Sequence, residues 1–171
     1  SKYHLKWLAI TGYVGTFLKQ FRDIAKSAQE KNIKIVTNAG GLNPSSMAES
    51  VKEIIDELNL DLKVAHIEGD DLMPRIDELY QGGENLTNID KSLDLQKYEK
   101  KPITANAYLG AWGIKEALDN GADVVICPRV TDAAVVIGPA AWKYKWSLDQ
   151  YDELAGALAA GHIIECGAQA T

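Results

Sequence analysis

Cysteine is scarce in this 171-residue chain, occurring only as Cys127 and Cys166. Neither sits in a CxxC or zinc-type spacing, so a disulfide scaffold or a structural zinc site has no support. Both read as free thiols of a reducing compartment, and a cytoplasmic location is expected. Long apolar runs are also lacking: no stretch reaches the ~18 residues that a membrane-spanning helix needs. No signal peptide is visible from Ser1 onward. Lysine and arginine do not cluster and the net charge is −6, so neither nucleic acid nor an anionic membrane surface is expected as a partner. No GxGxxG fingerprint follows any candidate strand, which leaves redox work with a nicotinamide or flavin unsupported. Disorder is excluded as well, because 46% hydrophobic and 25% charged residues are ordinary for a globular domain. The length fits one domain with a sizeable core.

What is present is an alternation of short β-branched runs and helical periodicity. The most pronounced stretch is Gly121–Ala133. Val124 to Cys127 reads as a strand covered on both faces. A polar turn with Arg129 follows, and a helix is entered at Asp132. Helix-start amides there attract anions, and Arg129 adds a guanidinium fork. Upstream, Val14, Phe17, Leu18, Phe21, Ile24, Ala25 and Ala28 recur at helical spacing, with Asn32 as a stop. Residues 33–38 form a strand that runs into Gly40 and Gly41. Asn43 then caps a helix with Pro44 at its first position. Residues 62–67 form another strand, ending in Glu68-Gly69-Asp70-Asp71 before a helix start at Leu72-Met73-Pro74. Residues 81–101 are polar and glycine-containing, a long surface loop or lid, or in part an antiparallel excursion. An extended segment at 103–108 precedes a helix at about 111–120, which Gly121 closes. Gly138-Pro139 is expected to break the helix after Asp132 into two. Ser147 to Gln150 has the form of a capping box. Tyr151, Leu154, Ala155 and Leu158 are the expected inner face of the last helix. Gly161 is expected to end it, with residues 162–167 a short strand or turn.

Strand–helix alternation predicts an α/β fold: a mainly parallel sheet flanked by helices in a Rossmann-like layered architecture, as a single domain over residues 1–171. Ligands of such sheets sit beyond the carboxyl ends of the strands. Four strand ends carry Asn38 to Gly41, Glu68 to Asp71, Asn106 to Tyr108, and Arg129 to Asp132. Glu68, Asp70 and Asp71 together could hold Mg²⁺. Helix capping is the plainer role for Asp70 and Asp71. Arg129 could equally pair with Asp132 or Asp123.

The runs Thr37-Asn38-Ala39-Gly40-Gly41-Leu42-Asn43-Pro44, Glu68-Gly69-Asp70-Asp71, Ala105 to Ala111, Gly121-Ala122-Asp123 through Arg129-Val130-Thr131-Asp132-Ala133, and Gly161-His162 through Gln169 occur in this order. Together they resemble the N-terminal domain of the acyclic terpene utilisation (AtuA) family, from about Val14 to Thr171. Pro128 stands where many members carry glycine, removing one potential anion-binding amide, and Trp112 stands at a variable position. The resemblance implies a longer protein, with a glycine-rich segment before Ser1 and more chain after Thr171. It also implies a setting in the breakdown of acyclic terpenes through acyl-CoA intermediates.

Two functions fit. The first is an enzyme of hydratase, lyase or isomerase type acting on a CoA ester or small carboxylate. Asp132, Glu68 and Asp70 are the acid–base candidates. Arg129 would clamp a carboxylate or phosphate. Asn38, Asn106 and the amides of Gly40 and Gly41 would polarise a carbonyl. Asn43, Tyr108 and Thr131 complete the expected substrate-binding set. The second is a non-catalytic ligand-binding or scaffold subunit, suggested by the alternating Trp142, Tyr144 and Trp146. A homo-oligomer or a partner chain is expected in either case. His162 with Glu165-Cys166 would suggest a cysteine nucleophile, but helix or turn structure is the plainer reading.

Overall fold

The computed structural model describes residues 11–98 and 102–167. A mixed α/β architecture is built on a three-stranded parallel sheet. Helix α1 (Thr16–Glu30) leads to β1 (Ile35–Thr37), α2 (Pro44–Glu57) and β2 (Val64–His66). A 3₁₀ turn (Met73–Arg75) and α3 (Ile76–Gln81) follow, and a second 3₁₀ turn lies at Leu95–Lys97. Then come α4 (Trp112–Asp119), β3 (Val124–Ile126), α5 (Ala134–Tyr144) and α6 (Tyr151–Cys166). The last strand in sequence is central, in the order β1-β3-β2, with Val124 opposite both Ile35 and Val64.

This order places helices on both faces. The chain steps one way from β1 to β2 and back from β2 to β3. Right-handed crossovers then deliver α2 and α4 to opposite sides. Phe21 and Ala25 of α1 and Met47, Val51 and Ile55 of α2 pack with Val124 and Ile126. Ile114 and Leu118 of α4 and Ala134 of α5 pack with Val125 and Cys127. The period-two alternation of β3 thus feeds two cores, and all three of its residues are fully buried. Each such burial is worth roughly 1.5–3 kcal/mol, well above the ~0–1 kcal/mol of an exposed ion pair such as Arg22–Glu57.

Several boundaries follow from local chemistry. Asn32 takes a left-handed φ of 51° just past α1, and Gly121 takes one of 87° past α4. Asn43 Oδ1 accepts the Ser46 amide at 3.2 Å, with Pro44 at the first helical position. At the opposite edge of the sheet, Asp123 binds both neighbours of β3. Lys34 Nζ donates to its Oδ1 at 2.6 Å, and the Lys63 amide donates to its Oδ2 at 2.8 Å. Partial burial pushes this carboxyl up, but the Lys34 ammonium and the Lys63 amide outweigh that and hold it below its ordinary range.

Some expectations are corrected. The extended 103–108 segment is no fourth strand. It makes isolated bridges, Asn106 to Asp71 antiparallel and the adjoining Leu109 to Val130 parallel. The helix predicted at Leu72-Met73-Pro74 opens as a 3₁₀ turn before α3. In the 81–101 loop, Thr87 bridges Asp94 antiparallel, and Tyr80 Oη donates to Asp94 at 2.9 Å; residues 99–101 lie outside the described residues. Gly138-Pro139 does not break α5, which runs through both. Gly138 lets α5 press on α4: a Cβ there would lie 2.7 Å from Ile114. The missing proline amide is tolerated because tertiary packing outweighs one helical bond. The Ser147–Gln150 box forms by half, Gln150 Oε1 accepting the Ser147 amide at 2.9 Å ahead of α6. Helix α6 does not end at Gly161 but continues to Cys166. Its inner face is Leu154, Ala157 and Gly161, while Tyr151, Ala155 and Leu158 are exposed. The Gly161 backbone sits against Ala133, where a Cβ would meet that of Ala133 at 2.9 Å.

Two measurements check this packing. Gly138→Ala is expected to destabilise the fold by about 1–3 kcal/mol through overpacking on Ile114, despite a better helix propensity. Gly156→Ala, where a Cβ meets nothing within 4 Å, is expected to stabilise it by about 0.5–1 kcal/mol in urea denaturation. For Asp123 the sign follows from its lowered value. Its contribution is complete above the ordinary carboxyl value of 3.8 and is lost as pH falls through its folded value. The stability gap between the native chain and Asp123→Asn should therefore be open at neutral pH and close in acid; a gap independent of pH would refute the clamp.

Candidate functional site at the carboxyl edge of the sheet

The turns leaving the three strands are bonded into one continuous edge. Leaving β3, Cys127 donates its amide to Thr37 at 2.7 Å, tying this turn to that of β1. Gly40 lies so close to it that a Cβ would be 2.5 Å from the Cys127 carbonyl oxygen. On the other side, Leu109 donates to the Arg129 carbonyl at 3.0 Å, and Thr131 donates to the Leu109 carbonyl at 2.9 Å. The same segment reaches the β2 turn, where Ala107 donates to the Asp70 carbonyl at 2.8 Å and Leu72 donates to that of Ala105 at 2.7 Å. Residues 105–109 therefore stitch the end of β2 to the end of β3.

Asp70 is the one buried charged residue of the described chain, 5% exposed. Its Oδ2 accepts from Asn106 Nδ2 at 2.8 Å. Its Oδ1 has no hydrogen-bond partner among the described residues. That oxygen must reach the surface, because no fully buried side-chain oxygen or nitrogen there lacks a partner. A carboxylate can accept only donors, so Asp70 also fixes which way the Asn106 amide faces. The result is a desolvated carboxylate with one held oxygen and one open one.

Arg129 is exposed and makes no ion pair among the described residues. Neither suggested partner takes it, since Asp123 binds Lys34 and Asp132 makes no side-chain bond among the described residues. Helix α5 begins at Ala134 with no side-chain cap, so Asp132 lies in the preceding turn rather than at a cap. The anion-binding reading of this turn narrows accordingly. Pro128 is buried and lacks an amide hydrogen, and Ala134 spends its own on the Thr131 carbonyl at 2.8 Å.

The remaining candidates divide. Asn38 is exposed beside Gly40. Tyr108 is 61% exposed, which frees its hydroxyl for a ligand and removes it from the core. Asn43 has both side-chain ends engaged, Oδ1 with Ser46 and Nδ2 with the Thr11 carbonyl at 3.2 Å. Gly41 has φ 58° and donates its amide to Asn38 at 3.4 Å. Both therefore shape the turn. Glu68 is exposed and lies 3.0 Å from His66 Nε2. Asp71 Oδ1 accepts the Met73 amide at 2.9 Å. The three carboxylates considered for Mg²⁺ thus turn to different partners, and among the described residues no group of three His, Cys, Asp or Glu could hold a metal ion. The thiol of Cys127 is buried and pushed up to about 12 by desolvation, which makes it inert. His162 is exposed on α6, and the Cys166 side chain lies outside the described residues, as does Ala168-Gln169 of the family motif.

One contributor is not among the residues that the sequence singles out. Thr11-Gly12 packs on the β1 turn, with Gly12 at φ 77° accepting the Leu42 amide at 2.7 Å. A Thr-Gly pair signals a turn, but nothing local says which turn it will meet.

Fold and edge define an α/β domain with a parallel sheet whose polar turns collect at the strand carboxyl ends. The chain belongs to the acyclic terpene utilisation family, AtuA, whose family model matches residues 8–171. Membership places it in the context of acyclic terpene utilisation. No curated protein and no solved structure matches it. No helix among the described residues is long and apolar enough to cross a membrane.

Two substitutions separate holding from waiting. Asn106→Ala leaves the Asp70 carboxylate without its donor and is expected to cost about 1–3 kcal/mol. Arg129→Ala removes an exposed side chain without an ion pair and should change stability by no more than about 0.5 kcal/mol. Chemical denaturation of both variants measures the contrast.

Proposed function

We propose that this chain is an acid–base enzyme domain acting on an acyl-CoA or a related small carboxylate, with hydratase, lyase or isomerase chemistry. The observation that carries the reading is Asp70, a nearly buried carboxylate with one oxygen held by Asn106 and the other open at the strand-end edge. The hydrogen bond from Asn106 keeps this carboxylate aimed at a bound proton donor. Asp70 Oδ1 takes a proton from the substrate carbon or an attacking water and returns it later in the cycle. Asn38 and the remaining capacity of the Asn106 amide bind the acyl oxygen as charge gathers on it. Arg129, one bonded turn away, clamps a carboxylate or phosphate. Glu68 and Asp132 are weaker choices for the base, since Glu68 is engaged by His66 and both are exposed to water. Tyr108 and Thr131 flank the same edge as ligand contacts. The layering is Rossmann-like in this sense: the ligand sits beyond the strand ends, as open parallel sheets hold theirs.

A second reading, a non-catalytic subunit, draws on the exposed apolar residues Tyr144, Leu148, Tyr151, Leu158 and Ile164 along α5 and α6. One experiment separates the two. Short-chain acyl-CoA esters and carboxylates are screened by thermal shift, and exchange of substrate carbon-bound hydrogen in D₂O is followed by NMR. The enzyme reading expects a shift that Arg129→Ala abolishes, and an exchange rate that Asp70→Asn lowers by about 10²–10⁴-fold while binding persists. No shift with any ester, together with a discrete larger assembly in light scattering, supports the subunit reading instead.

A further inference from the structure

Among the described residues, the far side of β2 is an edge that neither the fold nor the proposed site uses. In the ladder to β3, the Lys63 carbonyl accepts the Val124 amide and the Ile67 amide donates to Ile126. The parallel register then commits Ala65 to β3 and turns the amides and carbonyls of Val64 and His66 outward. These groups make no backbone hydrogen bond among the described residues. The helical layers flank the entry half of this edge and form an open cleft of about 530 Å³ at Leu62, Lys63, Val64 and Ala65. Lys52 of α2 lines one wall, and Ala117 and Asn120 of α4 line the other. Val64 packs toward the α2 side and Ala65 toward the α4 side. The two charged residues of the lining are Lys52 and Lys63.

We infer that this cleft is a docking site for one extended strand of a partner, apolar within and acidic at its ends, added to β2 by backbone hydrogen bonding. Outward backbone groups supply a ladder, and the alternate side chains of an added strand fall against the two walls. Small residues on the α4 wall, Ala117 and Ala122, leave room for β-branched side chains. The lysines select carboxylates, and Lys63, odd in register with Ala65, faces the wall opposite to that of Lys52. A second copy of this chain is a poor occupant, because its own β2 edge is flanked by the same helical layers and would set lysine against lysine.

The probe is a labelled, end-blocked peptide, Glu-Val-Val-Thr-Val-Glu, titrated against the chain by fluorescence polarisation. Binding is expected with Kd between about 10 μM and 1 mM. N-methylation of alternate amides should weaken it at least about tenfold in one of the two registers and not in the other, since only every second amide of an added strand meets the edge. Replacing both glutamates by lysine should weaken it similarly. Val64→Pro, which removes an outward amide while sparing the β3 ladder, should abolish binding with the far-UV circular dichroism unchanged. If that variant unfolds, the two N-methylated peptides decide alone. No binding at about 1 mM, or equal binding of both N-methylated registers, overturns the inference. So does a dimer in light scattering that Val64→Pro disperses, which would make a second copy the occupant.

Discussion

The structure depends on a three-residue strand that has no free side. Val124, Val125 and Ile126 are buried, and the strand is bonded on both edges: Val124 and Ile126 turn their backbone groups to β2 and Val125 turns its own to β1, while side chains alternate between the two cores. Asp123 closes this arrangement at the strand entry. Its carboxylate joins Lys34 ahead of β1 to the Lys63 amide ahead of β2. Its backbone does the same, donating to Lys63 and accepting from Ile35, each at 2.8 Å. The side-chain bonds span 89 and 60 residues of separation. Few local contacts can set the register of strands this short, so a charged group bonded to both neighbours is well placed to do so.

Once that register is set, the far end of the sheet follows. The parallel order β1-β3-β2 sends three turns to one edge, and the two crossovers place helices on opposite faces. The turns then become bonding partners, with Gly40 against the Cys127 carbonyl and residues 105–109 between the turns of β2 and β3. Stitching of this kind makes a precise site possible on very short strands, because loop backbone is held by other loop backbone. Asp70 and Arg129 illustrate the division that results. The carboxylate is held and nearly dry, and the guanidinium is loose and wet. The acid–base reading proposed above rests on this division between a held carboxylate and a free guanidinium.

The sequence was most legible where a residue type has one strong reason to be at its position. Asn43-Pro44 at the start of α2, Asn32 after α1 and Gly121 after α4 are of this kind, and so is the unbroken β-branched run of β3. It was least legible where packing overrules local preference. Gly138-Pro139 is a breaker pair by propensity, but in the fold the glycine is the contact surface that lets α5 meet Ile114, and the helix continues. Helix α6 is apolar on most of its circumference, so its periodicity does not name an inner face. The choice fell to Ala157 and Gly161, which are small enough for the approach to Ala133. Within the edge, the four turns were legible as polar and glycine-bearing, but the separate roles of their carboxylates were not. Glu68, Asp70 and Asp71 look alike in sequence; Glu68 meets His66 and Asp71 the Met73 amide, each only two residues away, and Asp70 alone of the three takes a distant partner, Asn106.

That last distinction bears on how the site holds together. Burying a carboxylate costs several kcal/mol unless donors compensate, and among the described residues Asn106 is the single side-chain donor to Asp70. Structural stability alone would favour a second donor at Oδ1, or an apolar residue in place of both partners. Retaining a half-satisfied carboxylate is therefore a local cost that the two cores must offset. They can do so because β3 is buried completely and tied on both sides. The contrast with Asp123 is one of bonding: the Asp123 carboxylate has both oxygens bonded within the chain, whereas Asp70 has one oxygen held by Asn106 and the other at the surface of the strand-end edge, which is why the proposed reading centres on it.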